Sequence, residues 1–144
     1  MKSRFLLLAA VIVSLFTSCS YNEVTPVKWD VFTIDIPSGA WVQQDEYLAA
    51  TVKVPELTKT VCNDGMVQCY LVYSDGSQTL LPALRLLAAD LKDDAGNFVE
   101  TMYYQRLIDY EFSPGQLTVY YTMSDYYYDE DWPGDMKARL VLQH

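Results

Sequence analysis

The sequence predicts an all-β protein, an antiparallel β-sandwich of about seven to eight strands. Apolar and polar residues alternate with a period of two in at least four segments, which is the pattern of strands with one face on a core. Tyrosine is abundant, with 12 residues, and Tyr, Val and Thr all favour strands. Glycine-containing turns separate the alternating runs, and short strands spaced in this way are typical of a sandwich.

The alternation predicts five strands. The first lies at 28–36, where Phe32, Ile34 and Ile36 form the inner face. The next four lie at 47–54, 67–73, 117–123 and 136–142. The predicted core is taken from the inward positions of these strands and includes Val52, Val54, Val67, Leu71, Leu117, Val119, Leu140 and Leu142.

Turn residues separate the predicted strands, at 63–65, 74–76, 93–97 and 113–115. The residues at 98–112 are either one long strand or two shorter ones. The residues at 56–61 are compatible with one helical turn. Leucines at helical spacing occur within 80–91, but Pro82 interrupts them, and extended structure is favoured there.

The N-terminus has the features of a bacterial lipoprotein signal that ends at Cys19. Lys2 and Arg4 form a positive region, and the apolar run at 5–16 is too short to span a bilayer. The residues Phe-Thr-Ser-Cys at 16–19 resemble a lipobox, in which the cysteine thiol is acylated and becomes the new N-terminus after cleavage. Cys19 is therefore the predicted lipidation site. The alternative is an ordinary secretory signal in which Cys19 has no role.

This assignment predicts a protein anchored in the cell envelope by lipid. An aspartate after the acylated cysteine would favour retention at the inner membrane, so Ser20 at this position indicates the outer membrane. Both the periplasmic face and the surface face of the outer membrane are left open. The predicted segments are a signal peptide at 1–18, a tether at 19–27 and one sandwich domain at 28–144. Loss of Lys2 and Arg4 changes the formal net charge from −9 to −11. Such an acidic surface repels nucleic acid, which is excluded as a partner.

Two further cysteines, Cys62 and Cys69, flank the turn at 63–65. An envelope location permits a disulfide between them. Cys69, however, is in phase with the inward residues Val67 and Leu71, and a buried free thiol behaves as a small hydrophobic group. Free thiols are favoured over a bridge, and a metal site is disfavoured because no histidine is nearby.

The sequence contains no pattern for catalysis or for a cofactor. The single histidine, His144, is the last residue, whereas a nucleophilic site needs a base that is held in place. A glycine-rich phosphate loop and a GxSxG motif are both missing from the sequence. We therefore predict a protein that is not an enzyme and that uses neither cofactor nor metal.

One stretch, 120–135, has an unusual composition and reads YYTMSDYYYDEDWPGD. In the sugar-binding hypothesis its aromatic rings stack on apolar sugar faces while its carboxylates accept hydroxyl hydrogen bonds. The ligand-binding candidates are Tyr126, Tyr127, Tyr128, Trp132, Asp125, Asp129 and Asp131. An EF-hand-like calcium loop fits poorly, because Leu140 stands where a glutamate is needed. The third interpretation is a solvated loop whose aromatic residues close one end of the core.

The turn and strand residues also form a recognisable pattern, at 55–58, 62–65, 67–73, 81–82, 112–115, 133 and 136–142. The pattern resembles a group of small uncharacterised β-sandwich proteins, often lipoproteins, of Bacteroidetes-type gut bacteria. The resemblance covers roughly residues 28–142. It implies the sandwich fold, and it assigns no functional residue.

Three functions are compatible with these observations. The leading hypothesis is a non-catalytic, lipid-anchored envelope protein that binds or supports a partner protein. The first alternative is a surface glycan-binding module that uses 120–135, and the second, less favoured, is a small glycoside hydrolase with paired carboxylates. An apolar patch or an unpaired strand edge would indicate a protein partner. A flat aromatic patch would indicate a glycan, and a deep pocket with two carboxylates would indicate an enzyme.

Overall fold

The computed structural model describes residues 26–125 and 132–144. Within these ranges two antiparallel sheets pack face to face, which confirms the predicted all-β sandwich. The strands are β1 (Trp29–Ile36), β2 (Trp41–Gln43), β3 (Leu48–Val54), β4 (Met66–Val72), β5 (Gln78–Leu80), β6 (Ala83–Lys92), β7 (Phe98–Ser113), β8 (Gly115–Met123) and β9 (Met136–Gln143).

The first sheet has the strand order β1–β9–β4–β5, and the second has the order β2–β3–β8–β7–β6. All neighbouring strands are antiparallel. The described residues contain nine strands, more than the seven to eight expected. The difference comes from β2 and β5, which have three residues each and are too short to show a period.

The core lies between the two sheets and takes alternate residues from each strand. Of the predicted core residues, Val52 and Val67 are half-buried against the core, and the others are buried. Leu117, Leu140 and Leu142 are among the largest fully buried side chains. The period of two therefore identified the inward faces correctly.

A single α-helix, α1 (Lys59–Asp64), lies among the described residues. It begins after Thr58, whose hydroxyl accepts a hydrogen bond from the Val61 N–H at 3.2 Å. The helical turn expected at 56–61 thus exists, but it starts three residues later because of this cap. No helix in the described part of the chain is long and apolar enough to cross a membrane.

The ambiguous segments are extended. β5 ends at Leu80 and β6 begins at Ala83, and a cis Leu81–Pro82 bond lies between them where the chain passes from the first sheet to the second. The favoured extended structure at 80–91 is therefore confirmed, and 98–113 is one long strand. The predicted turn at 93–97 joins β6 to β7, with Gly96 at a φ of 82° that favours glycine.

The two ends of the sandwich carry different features. Trp29 at the start of β1 and Met66 after α1 both lie opposite Gln143, so both are at one end, which we call the α1 end. The β7–β8 turn is also there, since the Gly115 N–H donates to the Leu57 carbonyl at 2.7 Å. β7 starts at the opposite end, with Phe98. We call this the open end.

Both cysteines of the domain are free thiols, as favoured from the sequence. Cys69 is fully buried on the inner face of β4, and Cys62 in α1 is half-buried. Burial raises the pKa of the Cys69 thiol to about 12, because apolar surroundings disfavour the thiolate.

We expect Cys69 to resist iodoacetamide at pH 8 in the folded protein and to react once denaturant is added. Since the native pKa is raised, the buried thiol supports folding below its ordinary pKa of 9.0, and this contribution is lost as the pH rises towards 12. Mass spectrometry of the labelled Cys62→Ser variant isolates the reaction at Cys69. Rapid native labelling would contradict the burial of this residue.

Candidate functional site

The described parts of the predicted ligand segment are at the open end, where β8 ends at Met123 and β9 begins at Met136. Five of its seven candidate residues lie outside the described residues, as does Cys19: Tyr126, Tyr127, Tyr128, Asp129 and Asp131. Of the other two, Asp125 is half-buried and Trp132 is 43% exposed. Near the end of this segment, the Asp135 carboxylate accepts the Ser38 N–H at 2.8 Å, and this bond lowers the pKa of Asp135.

A shallow groove of about 350 Å³ crosses the outer face of the second sheet. It is lined by Tyr47, Leu107, Asp109, Glu111, Tyr120 and Thr122. Asp109 and Glu111 share a face because they alternate along β7, and Asp109 lies opposite Tyr120 in β8. The sequence analysis missed this groove, although Asp109 and Glu111, two residues apart in a predicted strand, indicated an acidic outer face.

The groove is not a flat aromatic platform. The rings of Tyr47 and Tyr120 meet edge to face, with their centroids 5.5 Å apart. The Tyr120 hydroxyl donates to Glu111 Oε2 at 2.8 Å, and this hydrogen bond raises the pKa of Tyr120. The ring stacking that a sugar needs is therefore only partly available, while the two carboxylates make the groove anionic.

Among the described residues, large exposed apolar side chains are concentrated on the β6–β7 hairpin. β8 pairs with β7 only as far as Arg106, so residues 86–105 extend beyond the rest of the second sheet. We call these residues, together with Leu84 and Arg85 at their base, the arm (residues 84–105). Their exposed fractions are 62% for Leu84, 67% for Leu86 and 67% for Tyr103. None of the arm residues is buried.

Both faces of the arm carry apolar residues near its base. Ala88 lies opposite Tyr103, so both share the outer face with Leu86. On the inner face, Leu87 lies opposite Tyr104 and Ala89 lies opposite Met102. A two-stranded ribbon buries little of its own surface and is marginal when isolated. The arm thus exposes more apolar surface than the monomer needs for its own packing.

The arm also presents the longest free strand edge of the sandwich. β6 has ten residues and pairs only with β7 among the described residues, while the other edge strands, β1, β2 and β5, have eight, three and three residues. Natural edges are usually blunted by charge, proline or shortness. The residues at 83–89 read ALRLLAA and carry one charge, Arg85. The N–H and C=O groups on this edge are therefore available to a further strand.

Tight turn geometry supports the arm at its tip. The Asp93 carboxylate accepts the backbone and side-chain N–H groups of Asn97 at 2.8 and 3.0 Å. The Asn97 side chain is the main cause that holds the pKa of Asp93 below its usual range. Along the strands, the Thr101 hydroxyl donates to Asp90 at 2.9 Å. These contacts lie on both sides of a shift in the β6–β7 register between Leu91 and Lys92, and they support the hairpin as far as its tip.

The terminal histidine and possible metal ligands are the other candidates for chemistry in the described ranges. The expectation that His144 is not held in place was wrong, because two backbone hydrogen bonds tie this residue to Lys28. Its Nε2 lies 2.9 Å from Asp30 Oδ2, and this contact lowers the pKa of Asp30. Across 26–125 and 132–144, no three His, Cys, Asp or Glu residues are grouped to hold a metal ion. No protein-family model, curated protein or solved structure matches the chain significantly.

Proposed function

We propose that this chain is a non-catalytic, lipid-anchored envelope protein that binds a partner protein through the arm. The observation that carries the proposal is the ten-residue β6 edge, which is unpaired within the described residues and bordered by exposed leucines. The occupant that fits is an extended strand of the partner, because its backbone pairs with β6 while its apolar side chains cover Leu84 and Leu86. The acidic chain favours a neutral or basic partner.

The lipid anchor is the other half of this proposal and rests on the signal residues ending at Cys19. The arm lies at the open end, whereas β1, which follows the tether, begins at the α1 end. A protein held at its N-terminus would therefore present the arm away from the bilayer. This arrangement suits a tethered binding module.

Site-specific photo-cross-linking in native envelopes tests the arm. A photoreactive phenylalanine analogue at Leu86 should give a discrete adduct, and the same analogue at Val42 should not. Val42 is a matched control, since it is 57% exposed and lies in β2 on the opposite edge of the same sheet. Leu86→Lys should reduce an adduct formed from Tyr103 by about tenfold, because it places a charge in the apolar contact. Identical adducts at Leu86 and Val42 would exclude the arm as the docking surface.

The anchor is tested by Cys19→Ala. We expect the variant to leave the membrane fraction or to accumulate uncleaved, because an acylated cysteine supplies the chains that hold the protein. Cys62→Ala is the matched control and should stay with the membrane. If mass spectrometry of the wild type finds an unmodified N-terminus at another residue, the lipid anchor is refuted. That result would leave the proposal for the arm unaffected.

A glycan-binding module is the second candidate function. It is supported by the exposed ring of Trp132 and by the anionic groove at Tyr120, whose acids suit a neutral polyhydroxylated ligand better than an anion. A glycan array with and without calcium tests it. Binding that is lost in Trp132→Ala would favour the 120–135 segment over the arm as the functional surface.

A further inference from the structure

An uncharged surface lies on the outer face of the first sheet, at the α1 end. It is the outer face because the alternate residues Leu140 and Leu142 of β9 are buried between the sheets. Residues that pair across strands share a face, so the register places neighbouring side chains in rows across β1, β9 and β4. Two such rows form the surface, which we call the end patch: Trp29, Gln143 and Met66 in the first row, and Val31, Val141 and Gln68 in the second.

The apolar side chains of the end patch are open to solvent. The exposed fraction is 55% for Trp29 and 57% for Val31, and Met66 is exposed as well. Val27, just before β1, is also exposed and lines a cavity of about 320 Å³ together with Met66 and Gln143. The apolar surface therefore continues from the sheet face to the end of the sandwich, where the described chain begins.

Charged side chains on this face begin only beyond the end patch. Arg139 is in the third row, where it lies opposite Thr33 and Tyr70. Lys137 is in the fourth row, and its Nζ lies 3.5 Å from Asp35 Oδ1. A chain with 19 acidic residues thus keeps two complete rows free of charge. Apolar and amide side chains with an exposed indole are the composition that suits the boundary between lipid headgroups and acyl chains.

The end patch is also the part of the domain nearest in sequence to the predicted anchor. Pro26 is the first described residue, and Cys19 precedes it by seven positions. A segment of this length reaches at most roughly 25 Å when fully extended. An acylated Cys19 would therefore keep Trp29 close to the bilayer at all times. Tethering of this kind raises the effective concentration of a surface at its target, so a small apolar contact is enough for docking.

We infer that the end patch docks on the surface of the bilayer, with Trp29 at the boundary between headgroups and acyl chains. This inference rests on the lipid anchor proposed above. The indole suits the boundary because it combines an apolar body with an N–H donor. The net negative chain is repelled by anionic headgroups, so the partner is a zwitterionic lipid surface. The arm belongs to the second sheet and lies at the opposite end, so docking leaves it free.

Tryptophan fluorescence of the acylated mature protein in phosphatidylcholine vesicles tests the inference. The quencher is phosphatidylcholine that carries a doxyl group near the headgroup end of one acyl chain. Trp132→Phe keeps Trp29 as the exposed indole, and Trp29→Phe keeps Trp132, which is exposed at the open end, while Trp41 is buried in both. We expect the quencher lipid to remove the emission of Trp29 in Trp132→Phe and to leave the emission of Trp29→Phe unchanged.

A charge placed in the end patch separates docking from the proximity that a tether alone provides. In the Trp132→Phe background, Val31→Glu should abolish the quenching of Trp29, because a carboxylate opposes entry into the apolar boundary. Val42→Glu is the matched control, since Val31 and Val42 are both 57% exposed and Val42 lies in β2 of the second sheet. It should leave the quenching unchanged. Quenching that survives Val31→Glu would overturn the docking, and circular dichroism establishes that each variant keeps the sandwich.

Vesicle flotation distinguishes failure of this inference from failure of the anchor. If the protein floats with the vesicles while Trp29 stays unquenched, the anchor stands and the bilayer is overturned as the occupant of the end patch. A protein, a second copy of this chain included, would then be the remaining occupant. If the protein does not float, the anchor and the inference are both refuted. Equal quenching of Trp29→Phe and Trp132→Phe would show contact with lipid at both ends and would also overturn the inference.

Discussion

Replacing Leu140 with alanine should lower the free energy of unfolding by about 2–5 kcal/mol. Leu140 is fully buried in β9, which is paired on both sides, and it lies opposite Phe32 in β1 and Cys69 in β4. Truncation there leaves a cavity that neighbouring strands cannot fill, because both are fixed by the β9 ladder. Urea denaturation of the mature chain, followed by circular dichroism, measures the change.

Val31→Ala is the control for this experiment. Val31 is 57% exposed on β1 and lies opposite Val141, so its truncation removes no core contact. We expect its unfolding free energy to stay within about 0.5 kcal/mol of the wild type. Equal losses in Leu140→Ala and Val31→Ala would mean that β9 does not line the core.

Gly65→Ala should also destabilise the fold, by about 1–3 kcal/mol or more, as overpacked sites do. Gly65 follows α1, and its backbone is extended, so conformational freedom is not the reason for glycine here. A Cβ at this position would collide with the Gln143 carbonyl oxygen and would lie 2.8 Å from the Val61 carbonyl oxygen. Both obstacles are backbone atoms of paired elements, so neither can move without breaking hydrogen bonds.

The matched control is Gly39→Ala, since a Cβ at Gly39 meets no atom within 4 Å. We expect this variant to unfold at the wild-type urea concentration. A wild-type transition in Gly65→Ala as well would contradict the close approach of α1 to the end of β9. A lowered transition in both variants would point instead to a general effect of alanine at these turns.

The sequence predicted the inward faces of the strands and the turns well, because both depend on residues that are close together in the chain. Alternation placed Leu117 and Leu140 inward, and glycine marked the tip of the β6–β7 turn. The sequence pattern did not reveal β2 and β5, because strands of three residues are too short to show a period. It also misplaced the start of α1, which is set by the Thr58 cap.

The candidate sites were less predictable, because they depend on which strands become neighbours. Tyr47 and Glu111 meet Tyr120 only through the β3–β8–β7 order. The rows of the end patch depend on the register of β9 with β1 and β4, which no single strand encodes. The predicted candidates at 120–135 were chosen by composition, and of these the structure describes only Asp125 and Trp132.

Under the proposed lipid anchor, the length of β7 would set how far above the membrane this protein acts. A strand of 16 residues spans roughly 50 Å at about 3.3 Å per residue, from the α1 end nearly to the tip of the arm. Within the tether at 19–27, the seven residues 20–26 add at most roughly 25 Å when fully extended. With Cys19 as the anchor, the arm would stand up to roughly 75 Å from the headgroups. The partner could then be a soluble protein that is held within this distance of the membrane and makes no contact with lipid.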